Sequence, residues 1–257
     1  MSDWNPTGYL KFEKERSQPA IDLVMRISHD NPKNILDIGC GPGNSTGILY
    51  DRWENARITG LDSSPAMLEK ARKSNDDIDW VLGDASADLG HLGQFDIIFS
   101  NAAFQWIPDN DILINKLFNM LNPEGVLAAQ IPYMEEMQIR KVINEVVNRA
   151  DWARYFANLS TPYKMNPPDF YYDVLNHLTP EISLWETRYF QIMNSHDDLV
   201  QWCKSTALRP YLDCLVDEVK KAEFEKDILG EITNHYETKQ DGKVLFPFDR
   251  IFFIAYR

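Results

Sequence analysis

A glycine-rich loop after a short apolar run constrains the fold of this chain more than any other feature. Residues 35–38 (Ile-Leu-Asp-Ile) have the length and composition of a buried strand, and they lead directly into Gly39-Cys40-Gly41-Pro42-Gly43. Glycines at alternate positions permit a tight turn and let a ligand approach the backbone, and the helix that follows offers free N–H groups. The loop therefore predicts either a ligand-binding strand-to-helix turn or a simple connection of the same shape.

The rest of the first half alternates between strand-like and helix-like segments. Further short apolar runs, bounded by turn residues, occupy positions 57–62, 79–82, 95–100 and 126–130. Helical stretches lie between them: 19–27 with a first-turn proline, 63–72 with a serine cap before Pro65, and one opened by Asp109 or Asp111 that ends near Leu121. Strands alternating with helices predict a parallel sheet with right-handed crossovers, and hence an α/β fold.

The second half is less regular. It has a predicted helix over 138–158, a proline-rich loop over 161–169, and strand-like runs at 182–193 and 244–256. Phe224, Ile228, Ile232 and Tyr236 recur at every fourth position, which predicts the buried stripe of a helix. We find no repeat, low-complexity tract or flexible linker in the sequence. One domain with insertions is therefore expected rather than two domains.

Composition and charge exclude several classes of function. The 257 residues are 44% hydrophobic and 25% charged, which is typical of globular proteins. With 26 Lys and Arg against 39 Asp and Glu, the net charge is −13, so nucleic acid and anionic membranes are not expected as partners. The first 25 residues lack the apolar stretch of a signal peptide, and no apolar run approaches membrane-spanning length, so we expect a cytoplasmic protein. Three separated cysteines and five scattered histidines predict neither a disulfide framework nor a metal site.

Two further carboxylates make the glycine loop more informative. Asp62 follows the second predicted strand, at the distance from the loop where an acid accepts the ribose hydroxyls of an adenosine ligand. Asp84 follows the third strand, where a carboxylate is able to accept from an adenine amino group. A dinucleotide-binding loop would have its last glycine at position 44, which is Asn44 here, so a nicotinamide-dependent oxidoreductase is the less favoured alternative. Each carboxylate also has a plain structural interpretation, as a helix cap or a turn residue.

The loop, Asp62 and Gly83-Asp84 together resemble the class I S-adenosylmethionine-dependent methyltransferases. Four segments are similar to members that esterify a small polycarboxylic acid such as trans-aconitate: 1–6 (Met-Ser-Asp-Trp-Asn-Pro), 39–45, 57–67 and 208–210 (Leu-Arg-Pro). The resemblance covers essentially the whole chain. It departs at Ala207, where glycine is expected, and over 133–169, which matches no motif.

The resemblance implies a Rossmann-like fold with a mostly parallel seven-stranded sheet flanked by helices, and a helical cap over the active site. Within a single domain, 1–30 would form a lid and first helix and 31–132 the cofactor-binding core. Segments 133–180 and 195–242 would form the cap, with returning strands at 182–193 and 244–256. The implied cofactor is S-adenosylmethionine, and its predicted contacts are Asp37, Gly39, Cys40, Gly41, Gly43, Asp62, Ser63, Met67, Asp84, Ala85, Asn101, Trp106 and Arg16.

Methyl transfer to a carboxylate requires no general base, because carboxyl groups with a pKa near ~4 are ionised at neutral pH. We therefore assign no residue a catalytic role in proton transfer, and we expect Gln105 and Trp106 to position the reacting groups. A substrate carboxylate needs cationic and hydroxyl donors, and arginine is the strongest of these. The predicted substrate contacts are Arg209, Tyr211, Tyr9, Trp4, Gln105, Lys204 and Arg250.

Other functions stay open at this point. Within the class, the acceptor could be a different carboxylic acid or an acyl-carrier-bound carboxyl group. Outside it, the alternatives are the nicotinamide-dependent oxidoreductase and a cofactor-binding protein without catalytic activity. The sequence gives no indication of oligomeric state.

Overall fold

The computed structural model describes residues 13–159, 165–204 and 206–257, without the side chains of residues 13–16. Its centre is a seven-stranded sheet with the strand order β3-β2-β1-β4-β5-β7-β6. The pairs β1–β2, β2–β3, β1–β4 and β4–β5 are parallel, and β5–β7 is antiparallel. The predicted fold class, a mostly parallel seven-stranded sheet flanked by helices, is confirmed.

The sheet and helices have the following bounds. The strands are β1 Asn34–Ile38, β2 Arg57–Asp62, β3 Asp79–Leu82, β4 Phe95–Asn101, β5 Leu121–Pro132, β6 Ile182–Met193 and β7 Val244–Tyr256. The helices are α1 Glu13–Arg26, α2 Asn44–Arg52, α3 Pro65–Arg72, α4 Asn110–Asn119, α5 Gln138–Val147, α6 Ala150–Phe156, α7 Pro168–Asn176, α8 His196–Lys204, α9 Arg209–Cys214 and α10 Glu218–His235. Short 3₁₀ turns cover Gly90–Leu92 and Phe104–Trp106.

The chain divides into two compact units. Among the described residues, the core unit contains 13–132, 165–187 and 250–257, and the cap unit contains 133–159, 188–204 and 206–249. The single-domain description, and the lid and cap roles of residues 1–30, 133–180 and 195–242, stay predictions. No helix in the described ranges is both long enough and apolar enough to cross a membrane.

The core unit is built from the strand–helix units that the first half of the sequence predicts. Strands β1 and β4 are central, and Ile35, Leu36, Ile97 and Ile98 in them are completely buried. Ser64 caps α3, as predicted, because its hydroxyl accepts a hydrogen bond from the Met67 N–H at 3.2 Å. The carboxyl ends of the parallel strands consequently meet along one edge of the sheet, where ligands bind in open α/β sheets.

The cap unit is helical around an aromatic cluster. Trp152 and Phe156 of α6 pack on Phe224 of α10, with ring centroids 5.1 and 5.2 Å apart. Phe224, Ile228 and Ile232 are fully buried, so the predicted helical stripe is confirmed. Tyr211 of α9 joins the cluster through an edge contact of 5.2 Å with Phe156.

Four predicted element bounds are wrong, and one of them is the start of β5, which lies at Leu121 rather than at position 126. Helix α1 begins before Pro19, so this proline lies inside the helix rather than in its first turn. The predicted helix 138–158 is two helices, because Arg149 takes an extended conformation between them; its side chain forms an ion pair with Glu231 of α10. The segment predicted as a loop over 161–169 already enters α7 at Pro168, where proline suits the first turn.

Candidate active site at the sheet edge

The glycine loop forms a tight turn at the carboxyl end of β1. Gly39, Gly41 and Gly43 all have positive φ angles, of 70°, 56° and 95°. A Cβ atom at Gly39 would lie 2.3 Å from the Cβ of Ala103, so this position requires glycine for both space and conformation. The backbone N–H of Gly39 donates to the carbonyl of Leu61 at 2.8 Å, which ties the loop to the end of β2.

Asp62 ends β2 with its carboxylate held in a defined orientation. Oδ2 accepts the N–H of Gly41 at 2.8 Å, and Oδ1 accepts the N–H of Ser64 at 2.8 Å. The two backbone donors therefore fix the orientation of both carboxylate oxygens at the edge of the sheet. Of its predicted neighbours, Ser63 is exposed and Met67 is buried.

Asp37 lies under the glycine loop and is completely buried. Its Oδ2 accepts from the hydroxyls of Ser45 and Thr46 at 2.8 and 2.7 Å, whereas Oδ1 is buried without a partner among the described residues. Burial raises the pKa of Asp37 to about 6, although the two hydroxyl bonds act in the opposite direction. A cationic group placed beside Oδ1 would stabilise the ionised carboxylate.

A cavity opens between the glycine loop, β4 and α1. Its lining residues are Ser17, Gly39, Cys40, Gly41, Pro42, Asn44, Ser45 and Asn101. The Oδ1 atom of Asn101 is buried and accepts no hydrogen bond from the described part of the chain. Burial raises the pKa of Cys40 well above its usual range, and the carboxylates of Asp37 and Asp62 add to this, so the thiol is neutral.

The turn after β3 presents Asp84 at the surface with Ala85 buried beside it. Oδ1 of Asp84 accepts from the backbone N–H and hydroxyl of Ser86, both at 2.8 Å, and these bonds lower the pKa of Asp84. Lys116 of α4 fixes the same turn by donating to the carbonyls of Ala85 and Ala87 at 2.5 and 2.6 Å. Lys116 is absent from the sequence-based predictions, because a lysine on a helix surface has no distinctive pattern.

The segment after β4 carries the two predicted positioning residues. Ala102 has a φ of 57°, a strained value for a residue other than glycine, and the following 3₁₀ turn holds Gln105 and Trp106. Nε2 of Gln105 donates to the carbonyl of Ala102 at 2.7 Å. Its Oε1 is buried with no partner within the described ranges, while Trp106 is partly exposed.

The predicted substrate residues fall into separate groups. In the cap unit, Arg209 lies 3.7 Å from Asp213, and Lys204 lies 2.8 Å from Glu225. Tyr211 is buried in the same unit, and burial raises the pKa of its hydroxyl. Trp4 and Tyr9 lie outside the described residues, as does the side chain of Arg16.

Arg250 is the predicted substrate residue that lies in the core unit. Its side chain is 3% exposed, and Nη1 donates to Oε1 of Gln130 at 2.9 Å. Gln130 is completely buried near the end of β5 and is absent from the sequence-based predictions. A signal was present, because Gln130 is the first polar residue after the apolar run 126–129.

One cluster outside the sheet edge has donor atoms at metal-binding distance. Glu145, Glu231 and His235 place ligand atoms within 4.8 Å of one another. Glu231 already pairs with Arg149, and His235 contacts the carboxylates of Glu145 and Glu231, so these polar contacts account for the arrangement.

Comparisons with known proteins agree with this geometry. A family model described as a methyltransferase domain matches residues 35–125. A trans-aconitate 2-methyltransferase from Escherichia coli O139:H28 is 38% identical over 259 aligned positions, covering 100% of this chain and 99% of the relative. The crystal structure of the YcgJ protein from Bacillus subtilis has a TM-score of 0.60 at 15% identity, covering 93% of this chain and 98% of that one. A phosphoethanolamine N-methyltransferase 2 from Haemonchus contortus, solved with S-adenosylhomocysteine, has a TM-score of 0.57 at 14% identity, covering 93% of this chain and 52% of that one.

Proposed function

The chain belongs to the trans-aconitate 2-methyltransferase family of class I S-adenosylmethionine-dependent methyltransferases, and from this premise we propose that it methylates a carboxylate of trans-aconitate. The product would be a monomethyl ester. The observation that carries the proposal is the 38% identity that extends over 100% of the chain to relatives of that name. The sheet-edge geometry supports it independently, because it offers acceptors suited to the cofactor.

The described residues fit S-adenosylmethionine. The oriented carboxylate of Asp62 would accept the ribose hydroxyls, and Asp84 with Ala85 would adjoin the adenine. Asp37 and Asn101 each carry a buried oxygen without a partner among the described residues, as expected next to the ammonium and methionine part of the cofactor. When bound, the cofactor supplies a methyl group activated by a sulfonium.

The residues of the chain have little proton chemistry to perform. A substrate carboxylate is already ionised, so the enzyme needs to hold it in line and to exclude water. The strained turn at Ala102 and the hydrogen bond from Gln105 to it fix this segment at the sheet edge. We propose that Gln105 and Trp106 position the acceptor there.

On the substrate side, Arg209 stays our proposed cap-unit donor, with Tyr211 beside it. Both are largely buried, and Asp213 lies 3.7 Å from the Arg209 guanidinium. Lys204 is a weaker proposal because Glu225 already accepts from it at 2.8 Å. The roles of Trp4, Tyr9 and Arg16 also stay proposals. We further propose a cytoplasmic protein that needs no metal and binds no nucleic acid, as its charge of −13 suggests.

Incubation with S-adenosylmethionine and a panel of small acids tests the function. Mass spectrometry should detect S-adenosylhomocysteine and a methyl ester with trans-aconitate. The trimethyl ester of the same acid is the matched control, since it has the same skeleton and no free carboxylate, and it should give no product.

Other outcomes would identify the alternatives. Turnover with another acid or an acyl-carrier-bound carboxyl group would move the substrate assignment within the class. Cofactor binding without turnover of any acid would indicate a non-catalytic binding protein. Calorimetric binding of a nicotinamide dinucleotide, with none of S-adenosylmethionine, would contradict the whole proposal.

A further inference from the structure

A buried polar pair at the carboxyl edge of the sheet joins Arg250, one of the predicted substrate contacts, to Gln130, which has no role so far. Gln130 of β5 is 0% exposed and Arg250 of β7 is 3% exposed. Nη1 of Arg250 donates to Oε1 of Gln130 at 2.9 Å. The oxygen that accepts this bond is a neutral amide oxygen, so the bond positions the guanidinium without adding a negative charge beside it.

The sheet register places this pair beside the glycine-loop cavity. Gln130 is the register partner of Asn101 in the parallel β4–β5 pair, and of Phe252 in the antiparallel β5–β7 pair. Register partners project from the same face of a sheet, and so do residues two apart in one strand. Gln130 and Arg250 therefore share a face with Asn101, which lines the cavity.

Two atoms on this face lack partners. Nε2 of Gln130 and Oδ1 of Asn101 are buried, and neither has a hydrogen-bond partner among the described residues. A buried amide without a partner is unfavourable unless a ligand or water satisfies it. Nε2 of Gln130 is a hydrogen-bond donor next to the guanidinium of Arg250. The ligand group that suits these two side chains best is a planar anion such as a carboxylate.

We propose that Gln130 and Arg250 bind a carboxylate of the acceptor acid, an inference that rests on the proposed function. The cofactor is expected over β1 and β4, where the strand order reverses. Gln130 lies two strands from β1, and neighbouring strands are about 4.8 Å apart, so roughly 10 Å separates it from the glycine loop. The pair therefore lies where the acceptor acid, rather than the cofactor, is expected to bind. It would select acids that have at least one carboxylate besides the one that is methylated.

The substitution Gln130→Glu tests the subsite. The new carboxylate would stay ionised beside Arg250 and keep the pair bonded, so the fold should persist. It would place a negative charge beside the guanidinium and remove the Nε2 donor, so the pair would attract a substrate carboxylate less. We expect the Kd for trans-aconitate, measured by calorimetry with S-adenosylhomocysteine present, to rise roughly 10- to 100-fold, and the KM to follow. The Kd for S-adenosylhomocysteine alone should stay within about two-fold.

Two further variants complete the test. Gln240→Glu, at an exposed turn, changes the net charge equally and should leave every constant unchanged. Arg250→Lys keeps the charge but loses the planar fork, so it should also raise the KM for the acid while cofactor affinity is kept.

The possible outcomes separate the subsite from the function. If wild-type protein methylates trans-aconitate and Gln130→Glu binds the acid equally well, the subsite is wrong and the function stands. Loss of cofactor affinity in Gln130→Glu would instead assign the pair to the methionine carboxylate, and it would overturn the proposal. If wild-type protein neither binds nor methylates any acid of the panel, the proposed function is wrong, and the subsite with it.

Discussion

Replacement of Asp62 by asparagine should weaken cofactor binding far more than it weakens the fold. The carboxylate accepts one backbone N–H on each oxygen, from Gly41 and Ser64, both at 2.8 Å. Asparagine keeps the shape and one acceptor oxygen but presents an NH₂ group in place of the other. One ligand hydroxyl and one backbone N–H would therefore lose their acceptor, and the remaining bonds would no longer be to a charged group.

The magnitude follows from those bonds. A hydrogen bond to a charged group contributes about 1.5–3 kcal/mol, so the Kd for S-adenosylmethionine should rise roughly 10- to 100-fold. An orphaned N–H of Gly41 or Ser64 costs about 1–3 kcal/mol in the free protein, a fall in Tm of several degrees. Calorimetric titration gives the Kd and thermal unfolding gives the Tm.

A matched control separates the two effects. Asp51→Asn makes the same chemical change on the exposed surface of α2, and it should alter neither the Kd for the cofactor nor the Tm. The reasoning is refuted if Asp62→Asn lowers the Tm but leaves the Kd within about two-fold of wild type. In that case Asp62 serves only to hold Gly41 and Ser64, and the ribose assignment is wrong.

Three further predictions concern the loop and the cap. Gly39→Ala should destabilise the protein by at least about 2 kcal/mol in urea unfolding, since its Cβ would lie 2.3 Å from Ala103, whereas Gly47→Ala in α2, with open space around it, should be neutral or stabilising. The pKa of Asp37 is about 6 in the folded protein and 3.8 when unfolded, so the folded state binds more protons between these two pH values. The contribution of Asp37 to the free energy of unfolding therefore falls as the pH rises from about 4 to 6. Without ligand, the free energy of unfolding of Asp37→Asn relative to wild type should therefore rise by up to about 3 kcal/mol between pH 4 and pH 7. A difference that stays constant with pH would contradict this prediction. Arg209→Ala should raise the KM for the acid with cofactor affinity unchanged; a weakened cofactor Kd would place Arg209 elsewhere.

The cofactor half of the candidate site was predictable because its signals are local. The positive φ angles of the loop require glycine, the serine before Pro65 caps a helix, and Asp62 follows its strand directly. Each signal lies within a few residues of the structure it specifies. The helix break at Arg149 was missed because no proline or glycine marks it in the sequence. Its contact with Glu231, which lies 82 residues away, is equally invisible in the local sequence.

The substrate half is specified by long-range pairing. Gln130 and Arg250 are 120 residues apart, and they meet only because β7 returns antiparallel beside β5. The sequence predicts both Arg209 and Arg250 as substrate contacts, but nothing in it links Arg250 to Gln130. Neither polarity nor periodicity reveals that Arg250 is buried, since an arginine in an apolar strand is equally compatible with an exposed edge.

Burial also changes what the net charge of −13 means for a polycarboxylate ligand. Charges at the surface are screened over about 8 Å at physiological ionic strength, so the acidic exterior opposes the approach of an anion only weakly. A guanidinium inside the core unit acts at short range and in a medium of low dielectric constant, where its attraction for a carboxylate is stronger. The partner that Gln130 provides is neutral, which preserves that attraction while satisfying one donor. An acidic protein is thus able to bind an acid through one buried cation, whatever the excess of carboxylates on its surface.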